Sequence, residues 1–187
     1  MRNIVLIGMP GAGKTTVGRS LARLLDLTFI DSDKELVART GVPVATIFEI
    51  EGEQGFRARE AAVLAELLQR TGLVLATGGG AVLQAANRGL LRNSATVIYL
   101  RASLDALWER TRRDTNRPLL RTADPRKTLA ELLATRDPLY REAAHVIFDT
   151  GRQSAGKLAQ QIAASLKTAQ QTSQQTVQQT PATGEPS

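Results

Sequence analysis

The chain has 187 residues, a formal net charge of +6, a single histidine and no cysteine. This length suffices for one domain with a substantial core, and the lack of cysteine excludes disulfide bonds and cysteine-ligated metal sites. No apolar run approaches the roughly 20 residues that a membrane-spanning helix needs. The first predicted strand begins almost at Met1, which leaves no room for a signal peptide. We therefore expect a cytoplasmic protein without a membrane partner.

Short β-rich runs alternate with segments of helical periodicity along the chain. Strands are predicted at 3–7, 28–31, 73–76, 96–100 and 145–148, and helices at 14–25, 33–39, 43–50, 53–70, 83–92, 103–112, 125–136 and 154–167. This alternation predicts an α/β fold in which helices cover both faces of a parallel sheet. Such sheets bind ligands outside the carboxyl ends of their strands, so the segments after the strands are the candidate site. The histidine, His145, stands at the start of the last strand, where we expect a structural role.

The segment after the first strand carries the most informative pattern. Residues 8–15 read GMPGAGKT and match G-x-x-x-x-G-K-[ST] between a strand and a helix. Backbone N–H groups of such a turn and the positive end of the helix dipole converge on an anion. Lys14 can then reach the β- and γ-phosphates of a nucleoside triphosphate, and the Thr15 hydroxyl can bind Mg²⁺. The candidate phosphate-binding residues are Gly11, Ala12, Gly13, Lys14, Thr15 and Thr16.

Two carboxylates, Asp31 and Asp33, follow the second strand and lie beside the phosphate loop if the two strands are neighbours. One could hold Mg²⁺ through water while the other accepts a hydrogen bond from a substrate hydroxyl. The alternative is helix capping, since Ser32 and Glu35 form a capping box. The glycines at 78–80 follow the third strand and let a ligand approach the backbone closely.

The spacing of two arginines does not by itself make them ligands. Arg57 and Glu60 are typical of a one-turn ion pair on a solvated helix face. Arg136 stands where a basic residue suits the last turn of a helix.

Residues 113–124 are polar, interrupted by Pro118 and without a clean period, which predicts a loop long enough to act as a lid. Arg110, Arg117 and Arg121 flank or lie in this loop. They form either a solvated basic loop or a source of positive charge for a transferring phosphoryl group.

From Thr168 the chain repeats a Thr-x-Gln-Gln tetrad. We therefore expect one domain over 1–167 and a disordered tail over 168–187.

Together these segments resemble the shikimate kinases over residues 1–165. The matching motifs are G-x-x-G-x-G-K-[ST] at 8–15, D-[ST]-D at 31–33, E-G-E-x-x-F-R-x-x-E at 51–60, T-G-G-G at 77–80, R-P-L at 117–119 and R-x-P-L-Y at 136–140. The resemblance implies a P-loop kinase fold, a three-layer α/β/α arrangement with a lid and a five-stranded parallel sheet in the order 2-3-1-4-5. It also implies transfer of the γ-phosphoryl group of ATP to the 3-hydroxyl of shikimate, and we expect a monomer.

The resemblance implies roles for residues around ATP. Lys14 and Thr15 would hold the phosphates and Mg²⁺, and Asp31 would help to position the metal. Arg117 would contact the transferring phosphoryl group from the lid. The residues implied near the adenine are Arg110 and Arg152.

The resemblance also implies how shikimate would bind. Asp33 would bind its hydroxyls and act as the base, and its ring and carboxylate would be bound by Arg57, Arg136 and the backbone at Gly79 and Gly80. These residues suit the substrate, because a small carboxylate that bears hydroxyls needs cationic groups and a hydroxyl acceptor.

Two other readings remain at this point. A gluconate kinase shares the phosphate loop and a small polyol-acid substrate, but its relatives lack the triple glycine and the E-G-E-x-x-F-R segment. A nucleic-acid-binding P-loop protein is suggested by the net charge of +6. The chain lacks aromatic residues interleaved with basic ones, as a base-stacking surface would need, so we expect no nucleic-acid partner.

Overall fold

The computed structural model describes residues 2–112, 122–151 and 153–178. Within these ranges the chain forms a parallel sheet of five strands in the order β2-β3-β1-β4-β5. The strands are β1 Asn3–Ile7, β2 Thr28–Asp31, β3 Leu73–Ala76, β4 Ala95–Arg101 and β5 Val146–Asp149. The helices are α1 Lys14–Leu25, α2 Ser32–Thr40, α3 Val44–Gln69, α4 Ala85–Ser94, α5 Leu104–Thr111, α6 Pro125–Ala143 and α7 Ala155–Gln178. The predicted fold class and strand order are confirmed.

Burial of the strands follows their place in the sheet. Every residue of β1 and β3 is buried, whereas the edge strands β2 and β5 are partly exposed. Central parallel strands are covered on both faces, which explains why they read as continuous apolar runs. Ala76 pairs with Leu6 on one side and with Asp31 on the other. The phosphate loop, the acidic segment and the glycine loop therefore leave the same edge of the sheet.

The start of α2 differs from the expected capping box. Asp31 is the N-cap residue, and its side chain accepts a hydrogen bond from the backbone N–H of Lys34. Ser32 is buried, and its Oγ accepts the backbone N–H of Gly78 at 3.1 Å. The prediction that Ser32 and Glu35 form the cap is wrong, because the serine hydroxyl ties α2 to the glycine loop instead.

The segment from 43 to 70 contains the predicted break. Val44–Gln69 is one element, but Gly52 has a φ of 68° and a ψ of −174°, which is not helical. A residue with a side chain seldom adopts a positive φ, so glycine suits this position. The break sets the direction of the second half of α3, which carries Arg57.

Helix α6 is longer than the sequence predicted, since it continues past 136 to Ala143 with Pro138 inside it. A proline in a helix removes one backbone hydrogen bond. The buried Leu129, Tyr140 and Ala143 hold this helix against the rest of the protein. Arg136 is consequently a buried mid-helix residue, not an exposed residue of a last turn.

The last helix also extends beyond its prediction, from Ala155 to Gln178. Leu158, Ala159, Ile162 and Ala163 are buried and anchor its first half. Alanine and glutamine favour helices, so a packed helix can continue through a polar repeat. Residues 179–187 lie outside the described part of the chain, and the domain boundary at 167 and the disordered tail over 168–187 stay predictions.

None of the helices in the described ranges is both long and apolar enough to cross a bilayer.

The structural role of His145 is visible in its contact with β4, where its Nδ1 accepts a hydrogen bond from the backbone N–H of Val97 at 3.0 Å. Burial lowers the pKa of His145 below its ordinary value. The neutral imidazole thus supports the sheet.

Candidate active site

The phosphate loop depends on glycine for its path. Gly8, Gly11 and Gly13 have φ values of 143°, 84° and 94°. A Cβ atom on Gly8 would lie 2.6 Å from the carbonyl oxygen of Leu100, and one on Gly11 would lie 2.6 Å from Cγ2 of Thr111. Side chains at these positions would collide with β4 and α5, so the glycines allow the loop to fold tightly before α1.

Lys14 folds over this loop. Its Nζ donates hydrogen bonds to the carbonyl oxygens of Gly8 at 2.7 Å and Met9 at 3.0 Å. In the described part of the chain no side chain caps the start of α1, so the positive end of its dipole faces the loop. The Ala12 N–H donates to the Met9 carbonyl at 3.1 Å, so this N–H serves the loop itself.

A cavity of about 410 Å³ opens at this edge of the sheet. It brings together the phosphate loop, both acidic residues, the glycine loop and Arg110. The residues that line it are Pro10, Gly11, Gly13, Lys14, Thr15, Thr16, Asp31, Asp33, Thr77, Gly79 and Arg110. The predicted Ala12, Arg57, Gly80 and Arg136 do not line the cavity.

Strand β3 lies between β1 and β2, so these two strands are not neighbours. Thr15, in the helix after β1, and Asp31, at the end of β2, are nevertheless in contact. The Thr15 hydroxyl donates to Oδ2 of Asp31 at 2.8 Å. A hydroxyl that donates its proton keeps lone pairs for a cation, and Mg²⁺ binds through one or two protein oxygens plus substrate phosphates. Within the described ranges no group of three or more His, Asp or Glu side chains could hold a metal ion. Thr15 and Asp31 therefore fit a Mg²⁺ ion that is bound mainly by a nucleotide.

Two carboxylates approach the glycine loop from the other side. A Cβ atom on Gly78 would lie 2.6 Å from Oδ1 of Asp33 and 2.8 Å from Oε1 of Glu60. Only a residue without a side chain leaves room for both. Asp33 also lines the cavity, so a ligand in the cavity can contact this residue.

Arg57 and Glu60 form a buried pair, and the expectation of a solvated surface pair is wrong. Nη1 of Arg57 donates to Oε2 of Glu60 at 2.7 Å, and the two side chains are only 8% and 3% exposed. The guanidinium lies where a side chain on Gly80 would be. Burying two charges costs free energy that their pairing only partly offsets, so a buried ion pair is not explained by stability alone. This arrangement therefore indicates a role for the pair in the site.

Glu60 is a site residue that the sequence reasoning missed. Among the described residues, its Oε1 has no hydrogen-bond partner despite being buried. Burial, assisted by the charge of Asp33, raises the pKa of Glu60 above its ordinary value, although Arg57 and Arg136 act in the opposite direction. Its place at the end of the 51–60 motif was the available signal.

Helix α6 supplies two donors to the glycine loop. Nη1 of Arg136 donates to the carbonyl oxygen of Gly79 at 3.3 Å, and the Tyr140 hydroxyl donates to the same oxygen at 2.5 Å. Arg136 and Arg57 therefore both lie against the glycine loop, and the binding role that the family resemblance implies for them stays a prediction. Tyr140 was not predicted as a site residue.

Arg110 connects the phosphate loop with the loop after β5. Its guanidinium donates to the Gly11 carbonyl at 3.3 Å and to the Thr150 hydroxyl and carbonyl at 3.2 Å each. Arg110 thus borders the phosphate loop on the side away from Asp33. The predicted Arg117 and Arg152 lie outside the described residues, as do residues 113–121 of the predicted lid.

Comparison with known proteins agrees with this geometry. A family model described as shikimate kinase matches residues 10–167. A shikimate kinase of Nitrosospira multiformis is 60% identical over 164 residues, which cover 88% of this chain and 84% of that protein. The chain belongs to the shikimate kinase family.

Solved structures of this family resemble the chain closely. Shikimate kinase from Acinetobacter baumannii in complex with shikimate is 50% identical, with a TM-score of 0.88 over 90% of this chain and 94% of that one. A gluconokinase from Sinorhizobium meliloti is 23% identical, with a TM-score of 0.64 over 96% and 98% of the two chains, and this likeness concerns the fold alone. The predicted family, the kinase class and the shikimate kinase function are confirmed. The roles of single residues stay predictions.

Proposed function

We propose that the protein transfers the γ-phosphoryl group of ATP to the 3-hydroxyl of shikimate in this cavity. The observation that carries this proposal is the joint placement of a phosphate loop and Asp33 in one cavity. Buried guanidinium groups of Arg57 and Arg136 stand directly behind its glycine loop. Such a site accepts a nucleotide on one side and a small hydroxy acid on the other.

On the nucleotide side, Lys14 and the N–H groups at the start of α1 bind the β- and γ-phosphates. Lys14 must leave the carbonyl oxygens of Gly8 and Met9 to do so, which the flexible lysine stem permits. Thr15 and Asp31 would hold Mg²⁺, directly and through water, and the ion would neutralise charge on the phosphates. Arg110 lies on the adenine side of the loop.

On the acceptor side, Arg57 and Arg136 bind the carboxylate of shikimate, since guanidinium groups match carboxylates in charge and geometry. Asp33 and the Gly80 N–H bind its hydroxyls. Asp33 orients the 3-hydroxyl towards the γ-phosphorus and takes up its proton. The new oxygen–phosphorus bond forms as the bond between the γ-phosphorus and the bridging oxygen breaks, and ADP leaves.

Orientation supplies most of the catalysis, because a loose phosphoryl-transfer transition state demands little of a base. Arg117 would bring positive charge to the transferring group from the lid at 113–124. Closure of this lid would exclude water, which otherwise competes as an acceptor. We also infer that the protein is a monomer and acts in the cytoplasm, where ATP is available. The proposed reaction needs no nucleic-acid or membrane partner.

The experiment that tests the proposal is coupled measurement of ADP release with shikimate, with gluconate and without an acceptor. We expect ADP release when shikimate is the acceptor, and none with gluconate or without an acceptor. Asp33→Asn should abolish most of this release while ADP binding persists, since the proposal assigns Asp33 to the acceptor and not to the nucleotide. Turnover with gluconate, or loss of ADP binding with shikimate binding intact, would contradict the assignment.

A further inference from the structure

The Gly79 carbonyl oxygen is held by two donors of unequal quality. The Tyr140 hydroxyl approaches it to 2.5 Å, and Nη1 of Arg136 approaches it to 3.3 Å. Arg136 carries a charge that an acceptor carboxylate would attract away. Tyr140 is fully buried, and burial raises the pKa of its hydroxyl, so it stays a neutral donor. The tyrosine is thus the permanent anchor of this carbonyl.

Anchoring the Gly79 carbonyl fixes the direction of the next N–H group. A trans peptide is planar, so the Gly79 carbonyl and the Gly80 N–H point in opposite directions. The carbonyl faces α6, and the Gly80 N–H therefore faces away from α6. The glycine loop is also confined on its other side, because a Cβ on Gly79 would lie 2.7 Å from Cδ of Pro10. One hydroxyl on α6 thereby aims a donor that the proposed function assigns to shikimate.

Tyr140 is itself held by the sheet. Its ring stacks on the ring of Tyr99 in β4, with centroids 4.9 Å apart and an angle of 27° between the planes. Tyr99 is 1% exposed as a residue, and its hydroxyl donates to Oδ1 of Asp137 at 2.7 Å. Asp137 is the residue between Arg136 and Pro138. The Tyr99 hydroxyl therefore ties the sheet to α6 beside the arginine.

This tie lies where α6 is weakest. Pro138 has no N–H, so the carbonyl of Ala134 loses its usual helical partner. A helix interrupted in this way can rotate or shift beyond the proline unless another contact fixes it. The bond from Tyr99 to Asp137 and the stacked rings supply that contact on the face that carries Arg136 and Tyr140.

We propose that Tyr99, Asp137 and Tyr140 form a positioning unit that holds α6 against β4 and aims the Gly79–Gly80 peptide at the acceptor. We call it the tyrosine bracket. It determines the affinity for shikimate and leaves the affinity for ATP unchanged. The inference rests on the proposed placement of shikimate at Arg57, Arg136 and Gly80.

The test uses Tyr140→Phe, which removes one hydroxyl and keeps the stacked ring. The KM and Kd for shikimate should rise about three- to tenfold, the range of one neutral hydrogen bond. The KM for ATP and the kcat should stay within about twofold. Measurements are made at a temperature at which circular dichroism shows the variant to be folded.

Asp137 provides a second and independent test. Asp137→Ala should raise the KM for shikimate, whereas Asp137→Asn should restore most of the affinity, because its amide oxygen still accepts the Tyr99 hydroxyl. Arg141→Ala removes only the ion pair at 2.6 Å between Arg141 and Asp137 and serves as the matched control, with the KM for shikimate unchanged.

Three outcomes overturn the tyrosine bracket. They are an unchanged KM for shikimate in folded Tyr140→Phe, an equal rise in the KM for ATP, and equal behaviour of Asp137→Ala and Asp137→Asn. In each case wild-type turnover with shikimate would leave the proposed function standing. Absence of shikimate-dependent ADP release by the wild type would overturn the proposed function and the bracket together.

Discussion

The Glu60 carboxylate lies inside the protein against Arg57, with 2.7 Å between its Oε2 and Nη1 of the arginine. Its second oxygen faces Gly78 next to the Asp33 carboxylate. One guanidinium is therefore shared between an internal carboxylate and the proposed carboxylate of the substrate. This sharing keeps Arg57 in position without saturating its five donors.

The raised pKa of Glu60 makes stability depend on pH. The native pKa exceeds the ordinary value of 4.5, so the native protein holds this proton more tightly than the unfolded chain. The resulting stabilisation is complete below pH 4.5 and is lost as the pH rises through the native pKa. Relative to Glu60→Gln, which does not titrate, the wild type should lose thermal stability as the pH rises above 4.5.

Thermal denaturation of both proteins across this range measures the difference. Glu53→Gln is the matched control, since Glu53 contacts the same guanidinium at 3.3 Å but is 66% exposed. Its pH profile should follow that of the wild type. A wild-type advantage that grows with pH would mean that Arg57 outweighs burial at Glu60.

Lys14→Ala should leave a folded protein whose kcat falls by about 100-fold or more, the usual cost of removing one donor to a transition-state anion. Nζ of the lysine donates to the backbone carbonyls of Gly8 and Met9 in its own loop and not to a residue of the strands, so the core should persist. Steady-state kinetics and circular dichroism check this, with the exposed Lys157→Ala as control. Turnover within about tenfold of the wild type would remove Lys14 from the phosphate site.

Asp31→Asn should raise the Mg²⁺ concentration needed for half-maximal activity by about 10- to 100-fold, the typical effect of losing a group that orients a metal ligand. The substitution weakens the acceptor of the Thr15 hydroxyl. A Mg²⁺ titration of activity at saturating ATP provides the measurement. Asp26→Asn, on an exposed helix end, is the control and should behave as the wild type. Equal Mg²⁺ requirements in both variants would exclude Asp31 from the metal site.

The two buried arginines should differ in their effects. Arg136→Ala and Arg57→Ala should each weaken shikimate binding by about 1.5–3 kcal/mol, the value of a hydrogen bond to a charged group. Only Arg57→Ala should also lower the free energy of unfolding, by about 3–5 kcal/mol, because it leaves the buried Glu60 carboxylate unpaired. Calorimetric titration and urea denaturation separate the two effects.

Arg59→Ala is the matched control for this pair. Arg59 lies on the same helix and pairs with Glu51 at 2.7 Å, but its side chain is 48% exposed. Neither shikimate affinity nor stability should change measurably. Unchanged shikimate affinity in both Arg57→Ala and Arg136→Ala would place the acceptor elsewhere.

Local sequence patterns predicted the parts of the site that local structure determines. The strand–loop–helix arrangement around Lys14 and the glycines at 78–80 follow from short-range geometry. The burial of Arg57 and Glu60 does not, since a three-residue spacing is the same on a solvated and a buried helix face. The cap at Asp31 and the passage of α6 through Pro138 likewise depend on packing between distant segments. Arg117 and Arg152 stay predictions from the family resemblance.

In the proposed function, Asp33 and the two arginines present the 3-hydroxyl of shikimate to ATP. Phosphorus NMR of the reaction of the wild type with ATP and shikimate tests it most directly. We expect one phosphomonoester, attached at the 3-hydroxyl and formed in the same amount as ADP. A phosphoryl group on another hydroxyl, or ADP accompanied by inorganic phosphate alone, would contradict it.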